Sequence, residues 1–348
     1  MTAPNKNPIA ISGCGWITHF TAGRISDVLT SAAAPNGRAG AGRYQPVPRE
    51  ILEPFGVASA EVRREESVWL AAAALEIAWA EAGLVRGATT GERVGLVLGF
   101  ALAGQSGMID FANDVREQSP RFVSPIRFPQ TVGNYVSGAL ARAYDLRGPA
   151  STIACGSASS LEAIIEGCAL LASGAADVVI AGGAERLPPQ LVEGLDEPSV
   201  EFADGACLFV LERADDAKKR GAAILGMLGN APDETPNPTA STEIISTAGY
   251  REAGAVFIEA WAGRTLGADG AAALAATIGA VGGMTVPVVD THDAASVSPR
   301  RIIDGSSVQN IAPVEAVVRA VDDRGFRREL RVLIPKDFQA RRKISAAS

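Results

Sequence analysis

Short apolar runs alternate with longer stretches of helical spacing along most of this chain. Apolar runs with few charges predict buried β-strands, and they occur at Pro8–Thr18, Arg93–Gly99, Val178–Ala181, Cys207–Glu212, Ala222–Gly229, Ala255–Trp261, Val286–Asp290 and Leu330–Ile334. Helical spacing is found at Val68–Trp79, Asp269–Ile278 and Val314–Val321. Continuous apolar strands separated by helices predict a mainly parallel sheet that is covered on both faces.

The same alternation occurs in both parts of the chain, which predicts two similar halves in one compact unit. We place the halves at residues 1–220 and 221–348 of the 348-residue chain. Two stretches show neither apolar runs nor helical spacing and are predicted to be surface loops. They are residues 32–50 and the Pro/Thr/Asn-rich stretch between Asn230 and Thr247.

A β-prone run from Ser151 ends at Cys155, and a helical pattern begins directly after it. One face of that helix carries an apolar set, consisting of Leu161, Ile164, Ile165, Cys168 and Leu171. The Cys155 thiol is therefore predicted to lie where a strand meets a helix N-terminus, at which free N–H groups and the helix dipole favour a thiolate. A buried structural cysteine is the alternative interpretation.

Composition and charge exclude several classes of function. Apolar residues make up 47% of the chain and charged residues 20%, so a large core is expected. The net charge of −7 argues against a nucleic-acid surface. The four cysteines include no CxxC pair, which argues against a disulfide framework or a metal site. No apolar run reaches the roughly 18 residues of a membrane span, and no signal-peptide pattern is seen, so we expect a cytoplasmic protein.

The segment around Cys155 resembles the nucleophile segment of the β-ketoacyl synthases, which belong to the thiolase superfamily. The resemblance continues through Gly174–Glu185, which is similar to that family's strand and Gly-Gly turn after the nucleophile helix. Upstream, it includes Ser124-Pro125, Phe128-Pro129, Asn134 and Leu146-Arg-Gly-Pro149. The resemblance implies an α/β thiolase fold, layered α-β-α-β-α with two pseudo-repeated halves.

The resemblance also implies partners and further site residues. Cys155 would accept an acyl group, and Phe128, Asn134, Gly325 and Phe326 would contact the substrate. The acyl donor would be an acyl carrier protein or coenzyme A thioester, with no cofactor. The chain would form a homodimer, or a heterodimer with a ketosynthase, through residues around Ala101–Arg121 and Phe128–Tyr144.

The family's condensation machinery is largely missing from this chain. The first of its two histidines corresponds to Trp261, and an indole cannot accept a proton near neutral pH. An ungapped alignment puts Val297 at the second histidine and His292 near the supporting lysine, whereas a small shift in register brings His292 to the site. The late Gly-Phe-Gly-Gly loop corresponds to Gly325-Phe-Arg-Arg328. His19, the other histidine of the chain, is either a turn residue or a pocket residue.

Three functions remain open on this evidence. The first is a ketosynthase-like acyltransferase of fatty-acid or polyketide biosynthesis that acts on acyl thioesters through Cys155. The second is a non-catalytic partner of an active ketosynthase, similar to the chain length factors. The third is a thiolase-like carbon–carbon bond reaction with His292 recruited.

Overall fold

The computed structural model describes most of the first two thirds of the chain and shorter segments of the rest. The described residues are 8–32, 43–55, 66–85, 91–102, 104–194, 200–228, 245–248, 256–257, 262, 264–281, 284–289, 297–301, 314–321 and 327–334. Four of the predicted site residues lie outside these ranges, namely Trp261, His292, Gly325 and Phe326.

Fifteen strands are present in the described residues. They are β1 (Ile9–Thr18), β2 (Thr21–Gly23), β3 (Tyr44–Gln45), β4 (Val94–Gly99), β5 (Ala150–Ile153), β6 (Val178–Glu185), β7 (Phe202–Ala203), β8 (Gly205–Arg213), β9 (Gly226–Leu228), β10 (Ile245–Ala248), β11 (Val256–Phe257), β12 (Thr285–Val289), β13 (Val297–Arg301), β14 (Val314–Val321) and β15 (Arg327–Ile334).

Nine α-helices accompany them in the same part of the chain. They are α1 (Ile25–Ala32), α2 (Arg49–Leu52), α3 (Glu66–Glu81), α4 (Gln105–Gln118), α5 (Tyr135–Ala143), α6 (Ser159–Ala172), α7 (Pro189–Gly194), α8 (Ala214–Lys219) and α9 (Asp269–Val281). Short 3-10 segments include Pro125–Thr131, Gly156–Ala158 and Leu266–Ala268.

The main sheet repeats one topology in the two halves of the chain. Its order is β11-β10-β14-β15-β9-β1-β8-β6-β4-β5, with β2 paired to β1. In the first half, β5, β4 and β6 are parallel, while β8 and β1 continue in antiparallel pairs. In the second half, β11, β10 and β14 are parallel, and β15 and β9 continue in antiparallel pairs. The two halves therefore have the same strand order and directions, whereas the boundary at residues 220/221 stays a prediction.

Alternating side chains of each buried strand face two different cores. In β8, Phe209 and Leu211 face one core, which includes helices α6 and α9, while Leu208 and Val210 face the other, which includes helix α3. Strands β14 and β15 pack on the α6–α9 side. The described layers are thus α3, the first-half sheet, the α6–α9 pair and the second-half sheet. This period-2 alternation is what a sheet covered on both faces requires.

Two sequence predictions about this sheet are wrong. The sheet is mixed rather than mainly parallel, because continuous apolar strands report burial on both faces and not strand direction. Val314–Val321 is strand β14 and not a helix, with a full antiparallel register from Val314↔Ile334 to Val321↔Arg327. Its β-branched valines favour the pleated conformation, and Ala316, Val318 and Ala320 alternate into the core.

The predicted loop between Asn230 and Thr247 also needs a correction at its end. Strand β10 begins at Ile245 and pairs in parallel with β14 through Ile245↔Val317 and Thr247↔Arg319. The Pro/Thr/Asn-rich composition of the preceding residues concealed this short strand, since four residues carry little periodic signal.

Candidate active site

Cys155 lies at the junction that the sequence pattern predicts. Strand β5 ends at Ile153, and a 3-10 turn over Gly156–Ala158 leads into helix α6. Cys155 is the residue that precedes this turn, and its side chain is half-buried. Gly156 has a φ of 65°, a left-handed conformation that glycine adopts without steric cost. The glycine therefore lets the chain reverse sharply between strand and helix.

Ser159 binds the backbone of this junction through its hydroxyl group. The Cys155 N–H donates a hydrogen bond to Ser159 Oγ at 2.9 Å. Ser159 Oγ also lies 2.6 Å from the Gly156 carbonyl oxygen and 3.0 Å from that of Phe100, and the single hydroxyl proton is donated to one of these two acceptors. Ser159 is fully buried. It was not among the predicted site residues, although serine at a helix start is a known capping signal.

The second half of the chain builds the same kind of junction. The 3-10 turn Leu266–Ala268 precedes helix α9, and Leu266 has a φ of 50°. The Thr265 N–H donates to Asp269 Oδ1 at 2.8 Å, and the Thr265 hydroxyl donates to the same oxygen at 2.7 Å. Each junction therefore binds an N–H to the side chain four residues later.

The two junctions contact each other at the centre of the fold. The turn Gly156–Ala158 contacts the turn Leu266–Ala268, and helix α6 contacts helix α9. Ser160 Oγ accepts the Ala271 N–H of α9 at 3.0 Å. Arg328 of β15 forms an ion pair with Glu162 in the first turn of α6. These contacts fix the start of α6 against the second half.

His19 is a buried residue close to the second half of the chain. Its ring Nδ1 lies 3.2 Å from the Ala262 carbonyl oxygen, and Nε2 is buried with no hydrogen-bond partner among the described residues. Burial lowers the pKa of His19, although the Ala262 carbonyl acts in the opposite direction. His19 is only 8% exposed and lies in the turn between β1 and β2, as the first of the two sequence interpretations has it.

Two buried carboxyl groups connect loops close to these junctions. Glu185 Oε2 accepts the N–H groups of Ala101 (2.5 Å) and Leu102 (3.2 Å), and burial raises the Glu185 pKa to about 8. Asp204 accepts the Tyr44 hydroxyl and the Leu187 N–H, and burial raises its pKa to about 6. Their hydrogen bonds are to the backbone and to Tyr44, so we assign both a structural role.

Phe128 and Asn134 lie in the connection between α4 and α5. Phe128 belongs to the 3-10 segment Pro125–Thr131, and Asn134 precedes α5; both are exposed. A small cleft opens nearby. Its lining residues are Ser67, Phe100, Leu102, Gly104, Ser106, Gly107, Gln130, Tyr135, Val136, Glu185 and Arg186. Neither Phe128, Asn134 nor Cys155 lines it, so their shared role in a substrate site stays a prediction.

Two other types of site are absent from the described residues. Within them, no group of three or more His, Cys, Asp or Glu side chains is placed to hold a metal ion. No helix in that part of the chain has the length and apolarity needed to cross a membrane.

The four cysteines should differ strongly in reactivity. Cys14 and Cys207 are buried with their Sγ atoms 3.9 Å apart, and burial raises the Cys14 pKa well above its usual value. Burial raises the Cys168 pKa to about 12. Because the thiolate is the reacting species, iodoacetamide at pH 7.5 should alkylate Cys155 at least about tenfold faster than the other three. Peptide mapping after timed alkylation measures this, and faster labelling of Cys168 would contradict it.

Comparison with known proteins identifies the family. A sequence model described as "Beta-ketoacyl synthase, N-terminal domain" matches residues 55–224, which include the Cys155 junction. The 3-oxoacyl-[acyl-carrier-protein] synthase 2 of Coxiella burnetii is 30% identical over 193 residues, covering 47% of each protein. Residues 55–224 belong to the β-ketoacyl synthase family. The chain aligns with about half the length of the curated relatives that it matches.

Solved ketosynthase structures share the fold of this chain. A chain from the complex of a type II polyketide synthase acyl-carrier protein with its ketosynthase has a TM-score of 0.72 at 15% identity, covering 94% of this chain and 100% of that one. The ishigamide ketosynthase/chain length factor gives 0.74 at 17% identity, with coverage of 94% and 99%. The thiolase fold implied by the sequence is therefore confirmed.

Proposed function

We propose that this chain is the non-catalytic partner subunit of an active ketosynthase in fatty-acid or polyketide biosynthesis. The observation that carries the proposal is an exposed apolar surface between α4 and α5. We call it the α4–α5 surface, and its members are Met108, Phe122, Ile126, Phe128 and Val132. Ile126 is 83% exposed and Phe122 is 73% exposed. Single-chain proteins rarely leave so many large apolar groups in water within one short segment.

The α4–α5 surface is connected through α5 to an edge strand of the described sheet. Helix α4 and the segment Pro125–Thr131 have no buried residue. Helix α5 contacts both that segment and strand β5, and β5 ends the main sheet. An edge strand offers unpaired N–H and C=O groups to another chain. An apolar surface beside such an edge suits a permanent subunit interface.

The residues available for catalysis favour a partner over a condensing enzyme. The family alignment gives Trp261 in place of a histidine, and the chain has two histidines in all. His19 has its Nδ1 at the Ala262 carbonyl, and burial lowers its pKa. One of the solved structures with this fold is a ketosynthase/chain length factor, which is the kind of pairing we propose. We also place the protein in the cytoplasm, where the substrates of its ketosynthase partner would be carrier-bound or coenzyme A thioesters.

Acyl transfer through Cys155 is the second candidate function. It is favoured by the position of a half-buried thiol at a strand-to-helix junction. In this case an acyl carrier protein or coenzyme A thioester would acylate Cys155.

Intact mass spectrometry separates the two candidates. The protein is incubated with octanoyl- and malonyl-coenzyme A, and with acyl carrier protein loaded with the same groups. The partner role predicts no lasting adduct over the time in which a catalytically complete ketosynthase becomes fully acylated. A stoichiometric adduct that is lost in the Cys155→Ala variant would establish the second candidate instead.

A further inference from the structure

The hydrogen bond between Cys155 and Ser159 has a chemical consequence. The Cys155 N–H points at Ser159 Oγ over 2.9 Å, and Ser159 is fully buried. The Ser159 hydroxyl proton is directed to the carbonyl of Gly156 or Phe100. The hydroxyl therefore accepts from the Cys155 N–H and donates its proton to a backbone carbonyl.

Acyl transfer to a cysteine needs a donor for a short-lived oxyanion. The thiolate sulfur attacks the thioester carbonyl, the new S–C bond forms, and the carbonyl oxygen becomes negatively charged. When this intermediate collapses, the old C–S bond breaks and the leaving thiolate takes up a proton from solvent. The backbone N–H of the nucleophilic residue is a common donor to that oxyanion, and one such donor contributes about 100- to 1,000-fold in rate.

We propose that Ser159 withholds the Cys155 N–H from an incoming acyl group and so keeps Cys155 a poor acyl acceptor. Ser159 is a positioning residue, since it acts through the backbone N–H of Cys155. The inference rests on the proposed function, because it concerns a cysteine that a non-catalytic subunit retains at this junction. It explains how such a cysteine stays unacylated.

The surrounding structure keeps Ser159 in this place. A Cβ atom at Gly99 would come within 2.5 Å of the Ser159 carbonyl oxygen and the Ser160 nitrogen, so β4 packs directly on the start of α6. The Thr265–Asp269 pair repeats the same bond in the second half. Both junctions thus contain a hydrogen bond from a backbone N–H to the side chain four residues later, and this bond is part of the folded structure.

Two reactions of the same thiol test the proposal. Acylation by octanoyl-coenzyme A passes through an oxyanion, whereas alkylation by iodoacetamide displaces iodide and forms none. The Ser159→Ala variant should raise the acylation rate about tenfold relative to the alkylation rate. Ser159→Thr keeps a hydroxyl and should behave like the wild type. Any change in thiol exposure or ionisation affects both reactions and cancels in the ratio.

Ser160→Ala is the matched control, because Ser160 is the adjacent buried serine and its hydroxyl accepts the Ala271 N–H instead. Its acylation-to-alkylation ratio should equal that of the wild type. An unchanged ratio in Ser159→Ala, or an equal rise in Ser160→Ala, would overturn the proposal. These rates are measured on the chain alone, so they are independent of whether it pairs with a ketosynthase.

Hydrogen exchange of the wild-type protein gives a second test that needs no variant. The Cys155 amide should be protected at least about 100-fold relative to an unstructured peptide, since it is bonded to a buried hydroxyl. Exchange of this amide at the unprotected rate would overturn the proposal even if Ser159→Ala failed to fold.

Discussion

The double variant Ile126→Glu/Phe128→Glu should lose subunit association while keeping its fold. Both side chains are more than half exposed in the single chain, at 83% and 58%, so the substitutions cost the isolated subunit little. In a complex, two carboxylates would be moved from water into an apolar interface. Central interface residues each contribute about 2 kcal/mol or more, so we expect association to weaken at least about 100-fold. Sedimentation velocity with a ketosynthase partner measures this loss.

Val85→Glu is the control for that experiment. Val85 is 68% exposed and follows α3, outside the α4–α5 surface. The same charge placed there should leave association unchanged. Equal weakening by Val85→Glu, or full association of the double variant, would show that the α4–α5 surface is not the interface.

Replacing Gly99 with alanine should strongly destabilise the protein. The added Cβ would come within 2.5 Å of the Ser159 oxygen and the Ser160 nitrogen, which are backbone atoms of the first turn of α6. Strand β4 is held between β5 and β6 and cannot move aside easily. Overpacking of this kind typically costs 1–3 kcal/mol, and we expect a loss of about 3 kcal/mol in the free energy of unfolding. Urea denaturation measures it.

Gly138→Ala also adds one Cβ atom, but it should have the opposite effect on the free energy of unfolding. Gly138 lies in α5, and a Cβ there would meet no atom within 4 Å. Alanine is favoured over glycine in a helix by about 1 kcal/mol, so this variant should be slightly more stable than the wild type. If Gly99→Ala were as stable as Gly138→Ala, the close packing of β4 on α6 would be wrong.

Local sequence patterns predict most of the first half of the fold. The apolar runs match β1, β4, β6 and β8, and helical spacing matches α3 and α6. Strand direction could not be predicted, since a strand covered on both faces has the same composition in either direction. Val314–Val321 was predicted as a helix because apolar residues three and four apart occur in it by chance, and only pairing with β15 separates the two alternatives.

The candidate site could be predicted in part. The position of Cys155 follows from a β-prone run that is succeeded directly by helical spacing. The role of Ser159 could not be predicted, because its hydroxyl lies against the carbonyl of Phe100, which follows β4 and comes 59 positions earlier in the chain. The Thr265–Asp269 junction could not be predicted either, since its equivalence to the Cys155 junction depends on the strand order of the two halves.

The most direct test of the partner role is sedimentation velocity of the wild-type chain at micromolar concentration, alone and mixed with the catalytically complete ketosynthases of its source organism. The account predicts a stable one-to-one complex with one of these ketosynthases, which dissociates when Ile126 and Phe128 carry charges. A chain that sediments as a monomer in every mixture, or that associates only with itself, would contradict the proposed role.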